Sequence, residues 1–371
     1  MSHGPTLIRR GAMTNKRKTA GDRVLVLGAG YGGLMAALRA ADEADVTVID
    51  PAAHFSERVR EHEVAAGRDD ISHPLSSFLE KKRIRHVAAR VTDIDPVRKE
   101  VVTDDRRRHP YDLLVYALGS RTQTFGDGST EDGRLFTSET ARYLRKRLDD
   151  GPGTLTVVGG GATGVEMASE LAEAERAWKI SMVTAGEVGP ALSEKGRTHV
   201  RSTFRDLGIS LEEGRPAAPE DLDADVIVWT ASLRANAEIA RSAGLALTVD
   251  GRIQVDAMLR SVSHPDIYVV GDAAAARTAA AGELRMACAT ALPLGSRAGR
   301  NIVAELRGKR PKPLSFRYYA QVMSLGRRNG LVQFVGADDK PKDLIVTGRK
   351  AALLKEQVVR STVRSLRLAA R

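Results

Sequence analysis

One pattern of apolar and polar positions occurs twice along this chain. Residues 23–27, RVLVL, form an apolar run suited to a strand buried on both faces. The run enters GAGYGG at Gly28–Gly33, LMAALRAADEA then reads as a helix, and DVTVID returns as a second strand ending in Asp50. Further on, LTVV at 155–158 leads into GGGATG at Gly159–Gly164, VEMASELAEAE reads as the helix, and KISMV at 179–183 is the following strand. Strand, glycine loop, helix and strand in this order predict a unit that binds a dinucleotide.

The chemistry accounts for each position. Gly28 permits the tight turn, Gly30 lets the backbone approach a pyrophosphate, and Gly33 lets helix and strand pack closely. The helix N-terminus offers free N–H groups to the phosphates. Asp50 can accept hydrogen bonds from ribose hydroxyls. A glycine turn that binds nothing is the competing reading, and strand, helix and acid together argue against it. The second copy lacks the acid: Thr184 stands where it belongs, followed by Ala185 and Gly186, with Glu187 three residues late. A missing carboxylate leaves room for a 2′-phosphate, yet no arginine directly follows to clamp one, so NADH and NADPH both stay open. One such fold suggests a dehydrogenase; two suggest a flavin plus a nicotinamide.

Later segments extend the series. YDLLVYALG (111–119) and ADVIVWT (224–230) read as buried strands, and DIYVV (266–270) runs into GDAAAA at Gly271–Ala276. Asp272 there is either a helix N-cap or a carboxylate facing a flavin's ribityl chain.

The blocks GAGYGGL, YDLLVYALGS, VVGGGATGVE, ADVIVW and GRIQVDAMLRSVSHPDIYVVGDAA occur in the order seen in the pyridine nucleotide–disulfide oxidoreductase superfamily. The chain most resembles type II NADH dehydrogenases and apoptosis-inducing-factor-like flavoproteins. That resemblance implies an α/β, three-layer, glutathione-reductase-like fold with two Rossmann-like domains and a small C-terminal region. The FAD domain would be discontinuous, 23–120 and 251–310, with an NAD(P) domain at 121–250 and a C-terminal region at 311–371. Gly28, Ala29, Gly30, Gly32, Gly33 and Asp50 would hold the ADP half of FAD, Val91 would touch adenine through its backbone, and Asp272 would bind the ribityl chain. Arg58, Gly119 and Gly271 join the implied FAD contacts. Gly159, Gly161, Ala162, Thr163, Gly164 and Thr184 would face NADH or NADPH. Glu166 matches a family acid near the nicotinamide–flavin contact, although an acid at a helix start also simply suits the helix dipole.

The resemblance also places His62, within HFSERVREHEVAAGR (54–68), near the flavin ring. A histidine of near-neutral pKa there could shuttle a proton. The alternative is a helix surface with Arg58, Glu61 and His62 in water. The departures from the family matter too. A glutamine-rich motif carried by type II NADH dehydrogenases is replaced here by ACATALPLG, with Ala289, Pro293 and Leu294 in place of glutamines, and Ser232 replaces a family glycine. A quinone would therefore lose side-chain donors.

Composition narrows the picture further. Hydrophobic residues make up 42% and charged ones 28% of 371, as in an ordinary globular protein. The first residues, MSHGPTLIRRGAMTNKRKTAG, carry no apolar stretch of an export signal, so a disordered basic arm at 1–22 and a cytoplasmic location are expected. A single cysteine, Cys288, excludes a redox-active thiol pair and a cysteine zinc cluster; no metal is expected, and Cys288 itself reads as a buried small hydrophobe. The net charge of +10 sits at the two ends, with the body near neutral, and no nucleic-acid motif accompanies it, so no nucleic-acid partner is expected. At the C-terminus Arg360, Arg364, Arg367 and Arg371 share one helical stripe, and Val359, Val363, Leu366 and Ala370 an adjacent one. Such a helix either docks on the protein or lies on the inner face of the plasma membrane. The expected activity is an FAD-dependent NAD(P)H oxidoreductase acting on a small-molecule acceptor: a quinone, oxygen, a redox protein or a specialised organic substrate. Alternatives are an FAD enzyme that uses no nicotinamide and a flavoprotein sensor without turnover. A homodimer is compatible with all of these.

Overall fold

The computed structural model describes residues 22–68, 71–124 and 133–371. The basic arm expected at 1–22 lies outside them, save for Asp22. Along the chain the elements that build the site are β1 (Arg23–Leu27), α1 (Tyr31–Ala40), β2 (Asp45–Ile49), α2 (Glu61–Ala65), β3 (Arg85–Val87) and β4 (Leu113–Tyr116). Next come β5 (Leu135–Thr137), α3 (Ala141–Asp149), β6 (Thr154–Val158), α4 (Ala162–Ala174), β7 (Lys179–Thr184), α5 (Glu194–Asp206), β8 (Ser210–Glu213) and β9 (Val226–Trp229). The last are β10 (Ile267–Val269), α6 (Cys288–Leu306), β11 (Ala320–Ser324), β12 (Gly330–Val335), β13 (Pro341–Thr347) and α7 (Gly348–Ala369).

Two five-stranded sheets share one plan. The first runs β10-β4-β1-β2-β3 and the second β5-β9-β6-β7-β8, all neighbours parallel. In each, the strand before the glycine loop is central, and its neighbours on either side come from different parts of the chain. That arrangement opens a crevice at the carboxyl end of the central strand. It follows from sequence: β4 and β9 are buried at every residue, as the continuous apolar runs require. The chain passes between the units through two short antiparallel strands, Ser120–Thr122 and Leu233–Ala235.

Helix α1 is buried at every residue but Arg39. Its far side meets α6 at very close range, because a Cβ on Gly295 would lie 2.2 Å from the Gly32 carbonyl oxygen. Only glycine fits there.

The C-terminal region belongs to both cores. Met323 and Leu331 of the antiparallel sheet β11-β12-β13, and Leu325 just past β11, pack into the core of the second unit. Val363, Leu366, Ala369 and Ala370 pack into the core of the first. The stripe Val359, Val363, Leu366 and Ala370 is thus docked on the protein, while Arg360, Arg364, Arg367 and Arg371 are exposed. Burying residues such as Leu366 and Val359 stabilises this docking by about 1.5–3 kcal/mol each.

Candidate functional site

The two glycine loops are near copies in space. Gly28 has φ +96° and Gly159 φ +112°, a region that favours glycine. A Cβ on Gly33 would lie 2.0 Å from the Gly28 carbonyl oxygen, and one on Gly164 1.9 Å from that of Gly159. Gly30 and Gly161, by contrast, face open space, with nothing within 4 Å of an added Cβ. Both serve as N-caps without a side-chain cap, and neither helix has an acid in its first turn. The first-turn N–H groups of α1 and α4 therefore meet no competing protein carboxylate, as a pyrophosphate site requires. Ala29 and Gly32, and Ala162 and Thr163, sit within these turns.

Asp50 closes β2 and accepts hydrogen bonds from the N–H groups of Ala29 (2.7 Å) and Ala52 (2.8 Å). A carboxylate accepts about four, so ribose hydroxyls can still be bound. Asp272 accepts a hydrogen bond of 2.6 Å from the Ser120 hydroxyl, beside the positive-φ turns at Gly119 and Gly271. Val91 is buried at the start of the strand Val91–Asp95. Arg58 bridges the units instead of standing free: it donates to the Ser120 carbonyl and to Glu139, each at 2.9 Å.

In the second unit Thr184 ends β7, buried, with its side chain against Gly160. Glu187 does not replace the missing acid, because Arg201 (3.1 Å) and Arg197 (3.5 Å) of α5 hold it. The structure brings Arg215 alongside, its N–H donating to the Thr184 carbonyl at 3.0 Å while its guanidinium pairs with Glu212. Ser232, in place of the family glycine, adopts φ +62°.

On α4, past the second glycine loop, a cluster of charges joins Glu166 and His62 to residues that the sequence did not single out. Glu166, Glu170 and Glu173 fall at i, i+4 and i+7 on α4 and share one face. The turn after β11 covers that face. The Ser324 N–H donates to Glu166 at 2.9 Å, the Ser324 hydroxyl to Glu170 at 2.7 Å, and the Arg327 N–H to Glu173. From α7, the Lys355 ammonium donates to Glu166. The adjacent Glu356 binds Arg60 through two bonds of 2.9 and 3.0 Å. His62 completes the cluster, its Nδ1 4.0 Å from Glu166.

This setting sorts the titratable groups. Burial alone would raise the Glu166 carboxyl, but Lys355 and His62 outweigh it and hold Glu166 below the usual carboxylate range. One turn further, burial and the neighbouring Glu63, Glu173 and Glu166 push Glu170 up to about 7, against the Ser324 hydrogen bond. His62 corrects both expectations for this segment. It is 5% exposed, not solvated, and its Nε2 has no hydrogen-bond partner in the structure. Burial, helped by Lys355 and Arg327, brings its imidazole down to about 4, so it is neutral at neutral pH rather than poised there. The Cys288 thiol, pushed up to about 11 mainly by burial, stays protonated.

The stretch ACATALPLG lies inside α6 rather than before it, since the helix starts at Cys288. Leu294 belongs to the core and Ala289 faces out, so beyond the weak Cys288 thiol the segment's side-chain donor is Thr290, whose hydroxyl donates to the Ala287 carbonyl. Sequence reasoning missed Lys355, Ser324 and Glu170. One signal was available: three acids at helical spacing on a mostly apolar helix need cations from elsewhere in the fold.

The profile of a family described as pyridine nucleotide-disulphide oxidoreductase matches residues 22–291. Type II NADH:quinone oxidoreductase of Staphylococcus haemolyticus is 28% identical, over 91% of this chain and 94% of its own. The protein of that name from Staphylococcus aureus strain NCTC 8325 is 29% identical over the same shares. Among solved structures, NDH2 of Plasmodium falciparum in complex with NADH is similar with TM-score 0.75 and 15% identity, over 94% of this chain and 96% of that one. The sulfide:quinone oxidoreductase of Aquifex aeolicus also gives TM-score 0.75, at 18% identity over 94% and 92%. These two likenesses concern the fold.

Removing Lys355 should leave a buried carboxylate without its counter-charge. Lys355→Met is expected to cost about 3–5 kcal/mol in denaturant unfolding, and adding Glu166→Gln should recover most of that loss. Simply additive losses would show that the pair does not interact.

Proposed function

The chain belongs to the pyridine nucleotide-disulphide oxidoreductase family, and from that membership we propose that it transfers hydride from NAD(P)H to bound FAD and passes the electrons to a small, non-disulfide acceptor. The duplicated cradle carries the reading: two open, uncapped helix N-termini, each behind the central strand of its own parallel sheet. When bound, FAD supplies the ring that receives hydride. The Gly28–Gly33 turn and α1 hold one pyrophosphate, with Asp50 on the ribose and Asp272 on the ribityl chain. The Gly159–Gly164 turn and α4 hold that of NAD(P)H. Lys355 and Ser324 keep Glu166 ionised and fixed, and neutral His62 fills the space beside it. Glu170, titrating at about 7, is a group able to gain or lose a proton near neutrality. A thiol pair takes no part, because the chain has one cysteine.

Two features bear on the nicotinamide and the location. Thr184 sets no carboxylate against a 2′-phosphate, and Arg215 stands next to it, so NADH and NADPH serve comparably. The outer face of α7 exposes Leu353, Leu354, Val358 and Leu368 among arginines. No described helix is long and apolar enough to cross a membrane. The outer face of α7 fits a peripheral contact with an anionic bilayer.

The purified protein should carry about one FAD per chain. Anaerobic NADH and NADPH should both bleach it, at rates within about tenfold of each other, and Thr184→Glu should favour NADH by repelling the 2′-phosphate. A protein that stays colourless with added FAD, or that only an organic substrate bleaches, would overturn the reading. For the membrane contact, co-sedimentation with phosphatidylglycerol vesicles should occur at low salt and weaken in Leu353→Ser/Leu354→Ser. Equal sedimentation of both proteins would argue against it.

A further inference from the structure

Beneath the first turns of α7 lies a cavity of about 440 Å³, large enough for a small organic molecule. Three elements wall it. The turn after β11 contributes Arg327 and Arg328, the segment around α2 contributes Arg60 and Arg68, and α7 contributes Arg349, Lys355 and Arg360. Against these seven cations stand two lining carboxylates, Glu63 and Glu356.

Much of this charge is met from behind the wall, by Glu166, Glu170 and Glu173. The compensation is incomplete in three places. The exposed Arg349 side chain has no ion pair or hydrogen bond among the described residues. The Arg327 guanidinium pairs with Glu170 at 3.2 Å and Glu63 at 2.8 Å, but each of these carboxylates is shared with a second cation, Arg68 and Arg60 respectively. Glu170, titrating at about 7, carries only part of its charge at neutral pH. A ligand with a negative group would meet the exposed Arg349 guanidinium, which has no carboxylate partner, and the exposed Arg328 guanidinium, held by Glu173 at 3.5 Å.

The cavity also adjoins the site. Lys355 and Ser324 line it, and the same two residues hold Glu166. We propose that this cavity admits the electron acceptor and selects one that bears a negative charge. The inference rests on the oxidoreductase reading and adds the acceptor's class: a small anionic oxidant. A neutral apolar ring would have to strip water from the arginines without pairing them, and the α6 segment offers it no side-chain donor beyond the Thr290 hydroxyl, already bonded to Ala287, and the weak Cys288 thiol.

For a two-electron acceptor A the balance is NAD(P)H + H⁺ + A → NAD(P)⁺ + AH₂, the second proton coming from solvent. For a one-electron oxidant such as ferricyanide it is NAD(P)H + 2 ferricyanide → NAD(P)⁺ + 2 ferrocyanide + H⁺.

The test uses the FAD-loaded enzyme with ferricyanide and with the cationic oxidant hexaammineruthenium(III). In the wild type at low salt, kcat/KM for ferricyanide should fall as salt rises, and that for the ruthenium complex should rise. Arg328→Gln/Arg349→Glu alters two exposed rim side chains. It should lower kcat/KM for ferricyanide about tenfold or more, and raise it for the ruthenium complex. Anaerobic bleaching by NADH should be unchanged. Equal responses of the two oxidants, or none, with normal bleaching would overturn this inference alone. Loss of NADH bleaching in the wild type itself would overturn the oxidoreductase reading, and this inference with it.

Discussion

The contact between Glu166 and Lys355 is the constraint on which the candidate site depends. Glu166 sits on the helix that follows the second glycine loop, and Lys355 sits on the last helix of the chain. Each is nearly buried, so neither charge is tolerable without the other. The pair is not an isolated ornament on a stable scaffold. The Ser324 N–H adds a second bond to Glu166, and Glu356, next to Lys355, anchors Arg60 at the edge of the first unit. The last helix is therefore held from two sides at once.

This explains why a region outside the two nucleotide folds matters to their chemistry. The sheet β11-β12-β13 shares the core of the second unit, whereas α7 shares that of the first. The C-terminal region packs against both units, and it supplies cations for the acidic face of α4. Two carboxylates one turn apart are thereby driven in opposite directions, Glu166 downward and Glu170 up to about 7. A fixed charge beside a group able to exchange protons is the kind of division an active site uses.

Much of this fold was legible in the sequence because its signals are local. Gly28 and Gly33, and their counterparts Gly159 and Gly164, have to be glycine for reasons of turn and close approach, and those reasons act within a few residues. The parallel strands announce themselves as unbroken apolar runs. The stripe Val359, Val363, Leu366 and Ala370 showed that the last helix has an apolar face, but not what covers it. The site's charge network was not legible, since its partners are far apart in sequence: Lys355 meets a residue 189 positions away. The same distance misled the reading of His62. Its neighbours in sequence are charged and suggest a wet surface, while α4 and the turn after β11 bury it. Thr184 was read correctly as lacking an acid, yet Arg215 reaches it only through the pairing of β7 with β8.

The central claim is that Lys355 sets the ionisation of Glu166 inside a working nucleotide site. The most direct measurement is the rate at which NADH bleaches the bound flavin, followed by stopped flow from about pH 5.5 to 8.5, a span bracketing neutrality, in wild type and Lys355→Met. Without Lys355, burial governs Glu166 and its carboxyl pKa rises, so a falling pH protonates it in the variant while it remains ionised in the wild type. The ratio of variant to wild-type rates is expected to fall as pH falls. A ratio that stays constant across this range would contradict it.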